Sequence, residues 1–380
     1  MIKRDLSKRA LELWKKYPVL TLTGPRQSGK TTLAKAVFRK ADYVNMEDPE
    51  NHALASADMR EFLRRHPAPA IFDEVQYVPE LLRYVQAEVD KSGKPSQYVL
   101  TGSHQPALQA AVTQSLAGRT GVLELLPFSL RELKAAKMRK SRDEWIFGGF
   151  MPRLYDSDLA PTELYRDYFL TYVERDVRQL ANLRRLGEFE VFIRLLAGRV
   201  GQLLNVSSLS DDAGVAVNTV KEWLSVLEAS YVIRLLRPYY RNFGKRFVKS
   251  PKIYFTETGL AAYLLGIREP SQVAAHPLMG NLFENMVVMD VLKSRLNDGE
   301  VPDMYFMRTS NGTEADVVLE NGGSLDIYEI KASSTFRPDM ASNLEALSSL
   351  TGAVGRRKVV YCGRTLDRVG GTQFVNFTEM

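Results

Sequence analysis

Short apolar runs ending in small or polar residues recur through the first third of the chain. Pro18-Val19-Leu20-Thr21-Leu22-Thr23, Ala70-Ile71-Phe72 and Gln97-Tyr98-Val99-Leu100-Thr101 have the length and side chains of buried strands. Thr120 to Leu126 predicts another, and Thr32-Leu33-Ala34-Lys35-Ala36-Val37-Phe38 predicts a helix. Strands alternating with helices predict an α/β fold. Beyond a joint at Asp156-Ser157-Asp158-Leu159-Ala160-Pro161 the period changes. Leu164, Tyr168, Tyr172 and Val173 keep helical spacing in a helix from Thr162 to about Leu183, and a second runs from Glu188 to Leu204. Val206 to Val232 reads as helix–turn–helix: Gly214 breaks the first helix, and Asn218 or Thr219 caps the second. Thr219-Val220-Lys221-Glu222 fits a capping box, with Val220, Trp223, Leu224 and Leu227 as the core face. Near the end, Glu314 to Glu320 and Leu325 to Lys331 alternate as strands do. A two-residue turn at Gly322-Gly323 would make paired positions sum to 645, setting Asp316 opposite Glu329 and Glu314 opposite Lys331 on one face.

Composition narrows the classes without choosing among them. The chain has 380 residues, 45% hydrophobic and 25% charged, which suits two or three domains and excludes wholesale disorder. No apolar run approaches the roughly 18–20 residues of a membrane span. Met1 to Ala10 is charged and lacks a secretory core, and the single Cys362 has no internal disulfide partner. A cytoplasmic setting is the expectation. Four scattered histidines make a structural zinc site unexpected, and a net charge of +6 is compatible with a nucleic-acid partner without requiring one.

The strongest chemistry follows the first strand. Gly24-Pro25-Arg26-Gln27-Ser28-Gly29-Lys30-Thr31, then Thr32, matches G-x-x-x-x-G-K-[ST] between a strand and a helix. Glycine lets successive N–H groups turn toward phosphate oxygens, and the helix N-terminus adds positive potential. Lys30 is expected on the β- and γ-phosphates, with the Thr31 hydroxyl on Mg²⁺ and ATP as the nucleotide. Ala70-Ile71-Phe72-Asp73-Glu74 ends a strand in two carboxylates. Asp73 is placed to hold Mg²⁺ through water, and Glu74 to polarise an attacking water. After Leu100 the strand ends in Thr101-Gly102-Ser103. A hydroxyl there, Ser103 first and Thr101 second, is a candidate γ-phosphate sensor. Arg119 reads either as a finger on a neighbouring subunit's nucleotide or as an ordinary surface arginine.

Thr23-Gly24, Asn45-Met46-Glu47-Asp48-Pro49, Phe72-Asp73-Glu74-Val75-Gln76, Leu100-Thr101-Gly102-Ser103 and Leu116-Ala117-Gly118-Arg119 together carry a resemblance. So do Leu126-Pro127-Phe128-Ser129, Gly148-Gly149-Phe150, Tyr254 to Leu260, and Gly280 to Asn285. The chain resembles prokaryotic AAA+-type P-loop ATPases with an uncharacterised C-terminal domain. The resemblance spans nearly the whole chain. It implies a parallel-sheet ATPase core over 1–155, a helical lid over 156–185, a winged-helix segment over 186–268 and a nuclease-like α/β domain over 269–380. A homo-oligomer is expected with that class.

Two further features bear on partners. The segment 231–252 holds Arg234, Arg237, Arg241, Lys245, Arg246, Lys249 and Lys252 with no acid, and Tyr239, Tyr240 and Phe243 are interleaved. It resembles a wing that contacts nucleic-acid phosphates, or a basic hairpin that touches the ATPase core or a protein client. In the tail, opposed carboxylates repel unless a cation lies between them. Asp316 with Glu329-Ile330-Lys331 resembles the D…E-x-K core of restriction-endonuclease-like folds, with Glu284 as a further acid. In active members the acids hold Mg²⁺ and the lysine helps activate water. Three functions follow: an ATPase whose nucleotide state controls its C-terminal domains, an ATP-gated nuclease, or a nucleotide-switched DNA-binding module. Glu74 favours turnover, because a pure switch needs no water-polarising acid.

Overall fold

The structure is a computed structural model and describes residues 2–102, 114–172, 186–239, 247–352 and 354–380. The first sheet contains β1 (Val19–Thr23), β2 (Asp42–Asn45), β3 (Ala70–Asp73), β4 (Tyr98–Thr101) and β5 (Thr120–Glu124). Their order is β2-β3-β4-β1-β5, and every neighbouring pair is parallel. Continuous apolar strands need both faces covered. Alternation supplies two opposite apolar faces: Val19, Phe72 and Leu100 enter one core, and Leu20, Ile71 and Val99 enter the other. Helices α1 (Leu6–Trp14) and α2 (Lys30–Val37) cover the second face. Helices α3 (Pro49–Ala57), α4 (Met59–Arg65) and α5 (Leu81–Ser92) cover the first. Because the strands are parallel, the ends of β1, β3 and β4 open on one edge, where a site must form.

Leu125 is the last residue of these two cores. Leu126, Phe128, Trp145 and Phe150 instead join a larger core with Phe189, Trp223, Phe255 and Phe283. The helix expected from Thr162 begins at Pro161, and its part beyond Tyr172 lies outside the described residues. Helices Val206–Ala213 and Val217–Ala229 flank a turn at Gly214, and Val220, Trp223, Leu224 and Leu227 are buried as the pattern predicts. The expected cap does not form. The second helix starts at Val217 behind Ala216, without a side-chain cap, so Thr219 sits inside its first turn. The turn is tied as far as Val215 by Val215 N–H on Ser210 O (3.1 Å) and Ser210 Oγ on Val215 O (2.5 Å), so the helix starts directly after it.

Strands β6 (Ile233–Leu236) and β7 (Lys252–Phe255) pair antiparallel. The tail sheet contains β8 (Met304–Arg308), β9 (Glu314–Asn321), β10 (Ser324–Lys331), β11 (Val354–Tyr361), β12 (Leu366–Val369) and β13 (Thr372–Asn376). Their order is β12-β13-β11-β10-β9-β8. From Ser324↔Asn321 to Tyr328↔Val317 the β9–β10 pairs all sum to 645, the register predicted from the glycine turn. The long helix Met279–Asn297 packs on β7, β9 and β10 and also on α1. Among the described residues no helix is long and apolar enough to cross a membrane.

The basic segment is not one solvent-facing surface. Tyr239 is buried in the tail core with Met307 and Val318, and Lys252 is buried among acids. Tyr239 is held beside β8, where its N–H donates to Phe306 O (2.7 Å), and Lys252 lies on β7 against the tail acids, so neither faces a phosphate. Arg237 and Lys249 are exposed, and Tyr240, Arg241, Phe243, Lys245 and Arg246 lie outside the described residues.

Candidate nucleotide site and tail acid cluster

The phosphate loop leaves β1 at Thr23 and re-enters structure at Lys30, the first residue of α2. Two glycines are required there. A Cβ at Gly24 would lie 2.1 Å from the Leu125 carbonyl oxygen, and Gly29 has φ +91°. Gln27 also adopts a left-handed conformation (φ 62°). The first turn of α2 carries no acid and no side-chain cap, so its N–H groups remain available to an anion. The Ser28 hydroxyl is fully buried and has no hydrogen-bond partner among the described residues. Lys30 is 5% exposed, and its ammonium donates to Gly24 O (3.1 Å) and Pro25 O (2.8 Å). Burial lowers its pKa to about 8, against the opposing pull of Glu74 and Asp73. Such a loop fits a polyanion.

Asp73, at the end of β3, faces the start of α2. Its carboxylate accepts hydrogen bonds from Thr31 Oγ1 (2.8 Å), from Tyr43 OH (2.8 Å) and from Thr101 Oγ1. Three donors compensate the burial of this acid. Hard oxygen donors from Thr31 and Asp73 in contact fit Mg²⁺. Glu74 follows with φ 57°, an uncommon conformation for a side-chain-bearing residue, and Gln76 Nε2 donates to its carboxylate. Thr101 is thus committed to Asp73, and Ser103 lies outside the described residues. Exposed Thr32 follows Thr31 on α2, and Arg26 is half-buried in the loop.

Arg119 is not brought to this edge. Its backbone oxygen accepts from Val19 N–H at the start of β1, the end opposite the loop, and its guanidinium forks onto Asp90 (2.5 and 2.9 Å). Sequence reasoning missed Tyr43 and Arg4. Tyr43 is set on β2 by the parallel register beside β3, burial and its bond to Asp73 raise its pKa, and Lys35 lies 3.3 Å above its ring. Arg4 reaches the loop carbonyl of Ser28. A cavity of about 370 Å³ runs beside α2 between Gly29, Thr32 and Ala36 and the N-terminal residues Ile2, Lys3 and Arg4. No local signal marks these partners.

Glu284, Glu314 and Asp316 come together around Lys252, a member of the basic 231–252 segment, while Glu329 pairs separately. Lys252 Nζ lies 2.8 Å from Glu284 Oε1 and 3.3 Å from Asp316 Oδ1, and also pairs with Glu314. Tyr254 OH donates to Glu284 (2.6 Å), and Ile330 N–H donates to Asp316 Oδ2 (2.8 Å). Glu329 accepts from its neighbour Lys331 and from Asn343 Nδ2 (3.4 Å). Burial, reinforced by Asp316, raises the pKa of both Glu284 and Glu329. Among the described residues no group of three or more His, Cys, Asp or Glu is arranged to hold a metal ion. The Lys252 ammonium supplies the counter-charge of Glu284, Glu314 and Asp316, and Lys331 that of Glu329.

Three stretches of the chain match known families. Residues 16–134 match the AAA domain family, and residues 139–271 and 279–380 match two domains of unknown function, DUF8612 and DUF4143. The Walker-type ATPase of Pyrococcus abyssi covers 70% of this chain and 96% of its own, at 15% identity and a TM-score of 0.43. AMPPCP-bound DnaA from Aquifex aeolicus covers 59% of this chain and 86% of its own, at 14% identity and a TM-score of 0.31. Uncharacterized proteins of Mycobacterium tuberculosis and Mycobacterium bovis are each 32% identical over 365 residues, 95% of this chain and 80% of theirs. At that identity over that length the chain belongs to the family of these mycobacterial proteins, and its N-terminal part is an AAA domain on a parallel α/β sheet.

Proposed function

We propose that the protein binds ATP with Mg²⁺ and hydrolyses it at the β1–α2 loop, and that nucleotide state is passed to the C-terminal elements. One observation carries the reading. Thr31 and Asp73, separated by 42 residues, meet at 2.8 Å beside a loop whose amides and buried lysine suit phosphates. Thr31 and Asp73 hold the Mg²⁺, which neutralises phosphate charge. Glu74 orients the attacking water, Tyr43 and Thr101 fix the Asp73 carboxylate, and Ser103 remains the candidate sensor. The cavity beside α2 is the place for the base. The functional units are the ATPase core, lid, winged-helix segment and nuclease-like domain at the boundaries given above, with Arg119 acting across a homo-oligomer.

The test is Mg²⁺-dependent ATP hydrolysis with matched binding. Lys30→Ala should abolish nucleotide binding. Glu74→Gln should keep binding while turnover falls by about 10²-fold or more. Equal hydrolysis by wild type and Glu74→Gln would remove Glu74 from the mechanism. A nuclease at Glu284, Asp316, Glu329 and Lys331 is the weaker reading, because its divalent ion would have to displace Lys252. Nucleic acid at the exposed part of 231–252 and a protein client are the partner candidates, distinguished by which polymer stimulates hydrolysis.

A further inference from the structure

We infer that Arg4 is a positioning residue that sets the phosphate loop for the nucleotide, a role that rests on the ATP reading above. Arg4 precedes both α1 and the AAA match, yet it is only 7% exposed. Its guanidinium binds in three directions at once. Nη1 donates to Ser28 O (2.8 Å), Nη2 to Leu126 O (2.6 Å) and Nε to Glu132 Oε1 (2.9 Å), and the group lies 4.8 Å from the centre of the Phe128 ring.

The contact with Ser28 matters through peptide geometry. In a trans peptide the C=O and the following N–H point in opposite directions. Holding the Ser28 carbonyl outward on Arg4 therefore turns the Gly29 N–H inward, the orientation a phosphate needs. The second contact ties that peptide to the segment following β5. The same segment braces the other end of the loop, because Leu125 N–H donates to Thr23 O (2.8 Å) and the Leu125 carbonyl packs against Gly24. Both ends of the loop thus take their position from residues 125 and 126. Glu132 aims the guanidinium, and is itself held by Asp5 N–H and Ser129 N–H (both 2.9 Å). Lysine can reproduce only part of this, since a point charge lacks the planar fork.

The experiment compares ATP with inorganic tripolyphosphate, both with Mg²⁺, on the full chain. Arg4→Met alone would strand the Glu132 carboxylate in the interior, so the informative variant is Arg4→Met with Glu132→Gln, and Glu132→Gln alone is the control. Arg4→Lys tests conservative rescue. The double variant, once shown to be folded by circular dichroism, should lose about tenfold affinity for both probes alike. The rise in KM for ATP should exceed the fall in kcat, and Arg4→Lys should recover part of the loss. Wild-type affinity for both probes in the folded double variant would reduce Arg4 to a structural role and overturn the inference. A loss confined to ATP would overturn it too, since Arg4 would then shape the cavity beside α2. Failure of the wild type to bind either probe, with Lys30→Ala indistinguishable from it, would instead sink the ATP reading and this one with it.

Discussion

Lys30 and Lys252 are both buried with carboxylates nearby, and their circumstances are opposite. Among the described residues Lys30 touches only loop carbonyls, with Asp73 and Glu74 near enough to be felt, and burial leaves its pKa depressed to about 8. Lys252 is equally buried, but Tyr254, Glu284, Asp316 and Glu314 surround it. Burial alone would lower its pKa, and these groups together raise it well above the ordinary value. An ammonium without a direct anionic partner is poised to receive phosphates. One enclosed by carboxylates is already neutralised, and acts as a tie between β7, the long helix and β9. Similar burial therefore supports ligand binding at one site and structure at the other.

The largest expected effect tests that contrast through stability. Lys252→Met should cost about 3–5 kcal/mol in denaturant unfolding, because three acids lose their counter-charge. Lys30→Met should change stability by no more than about 1 kcal/mol, since it removes an ionic group with no direct acid partner. Equal losses would erase the distinction.

A smaller effect lies in pH dependence. Glu284 and Glu329 titrate above the ordinary carboxyl value of 4.5, so the folded chain binds protons more tightly than the unfolded one. Stability from these groups is complete below pH 4.5 and is lost as pH rises through their elevated values. Glu329→Gln should flatten that decline by about 1 kcal/mol. A wild-type profile that rises over the same interval would have the wrong sign.

The smallest effect is a proton count. At pH 8 Lys30 is half-charged before phosphates arrive and charged afterwards, so ATP binding should take up about half a proton. Calorimetry in two buffers of different ionisation enthalpy reads this directly, and uptake should vanish near pH 6.5. No uptake at pH 8 would mean that Lys30 is fully charged without ligand.

Much of the nucleotide site was legible because its signals are local. A strand, a glycine-bearing loop and an amphipathic helix lie consecutively from Pro18 to Phe38, and Asp73 ends a run too apolar to be other than buried. The β9–β10 register was also legible, because two glycines set the turn and a period of two does the rest. The cap at Thr219 misled because Asn218, Thr219 and Glu222 offer a capping pattern that the Ser210–Val215 turn pre-empts. Lys252 misled because it was read with its neighbours in sequence, whereas its partners are 32 and 64 residues away.

The order of residues by itself determined the elements, the phosphate loop and the hairpin register, since each depends on spacing within a few residues or on strand alternation. Only the tertiary structure decided which charges meet. Arg4 on Ser28, Tyr43 on Asp73 and Lys252 among Glu284, Glu314 and Asp316 are pairings made by sheet order and helix packing. Burial then sets how strongly those charges act, because the cost of removing a charge from water depends on what surrounds it in space, and neighbours in the chain do not supply that.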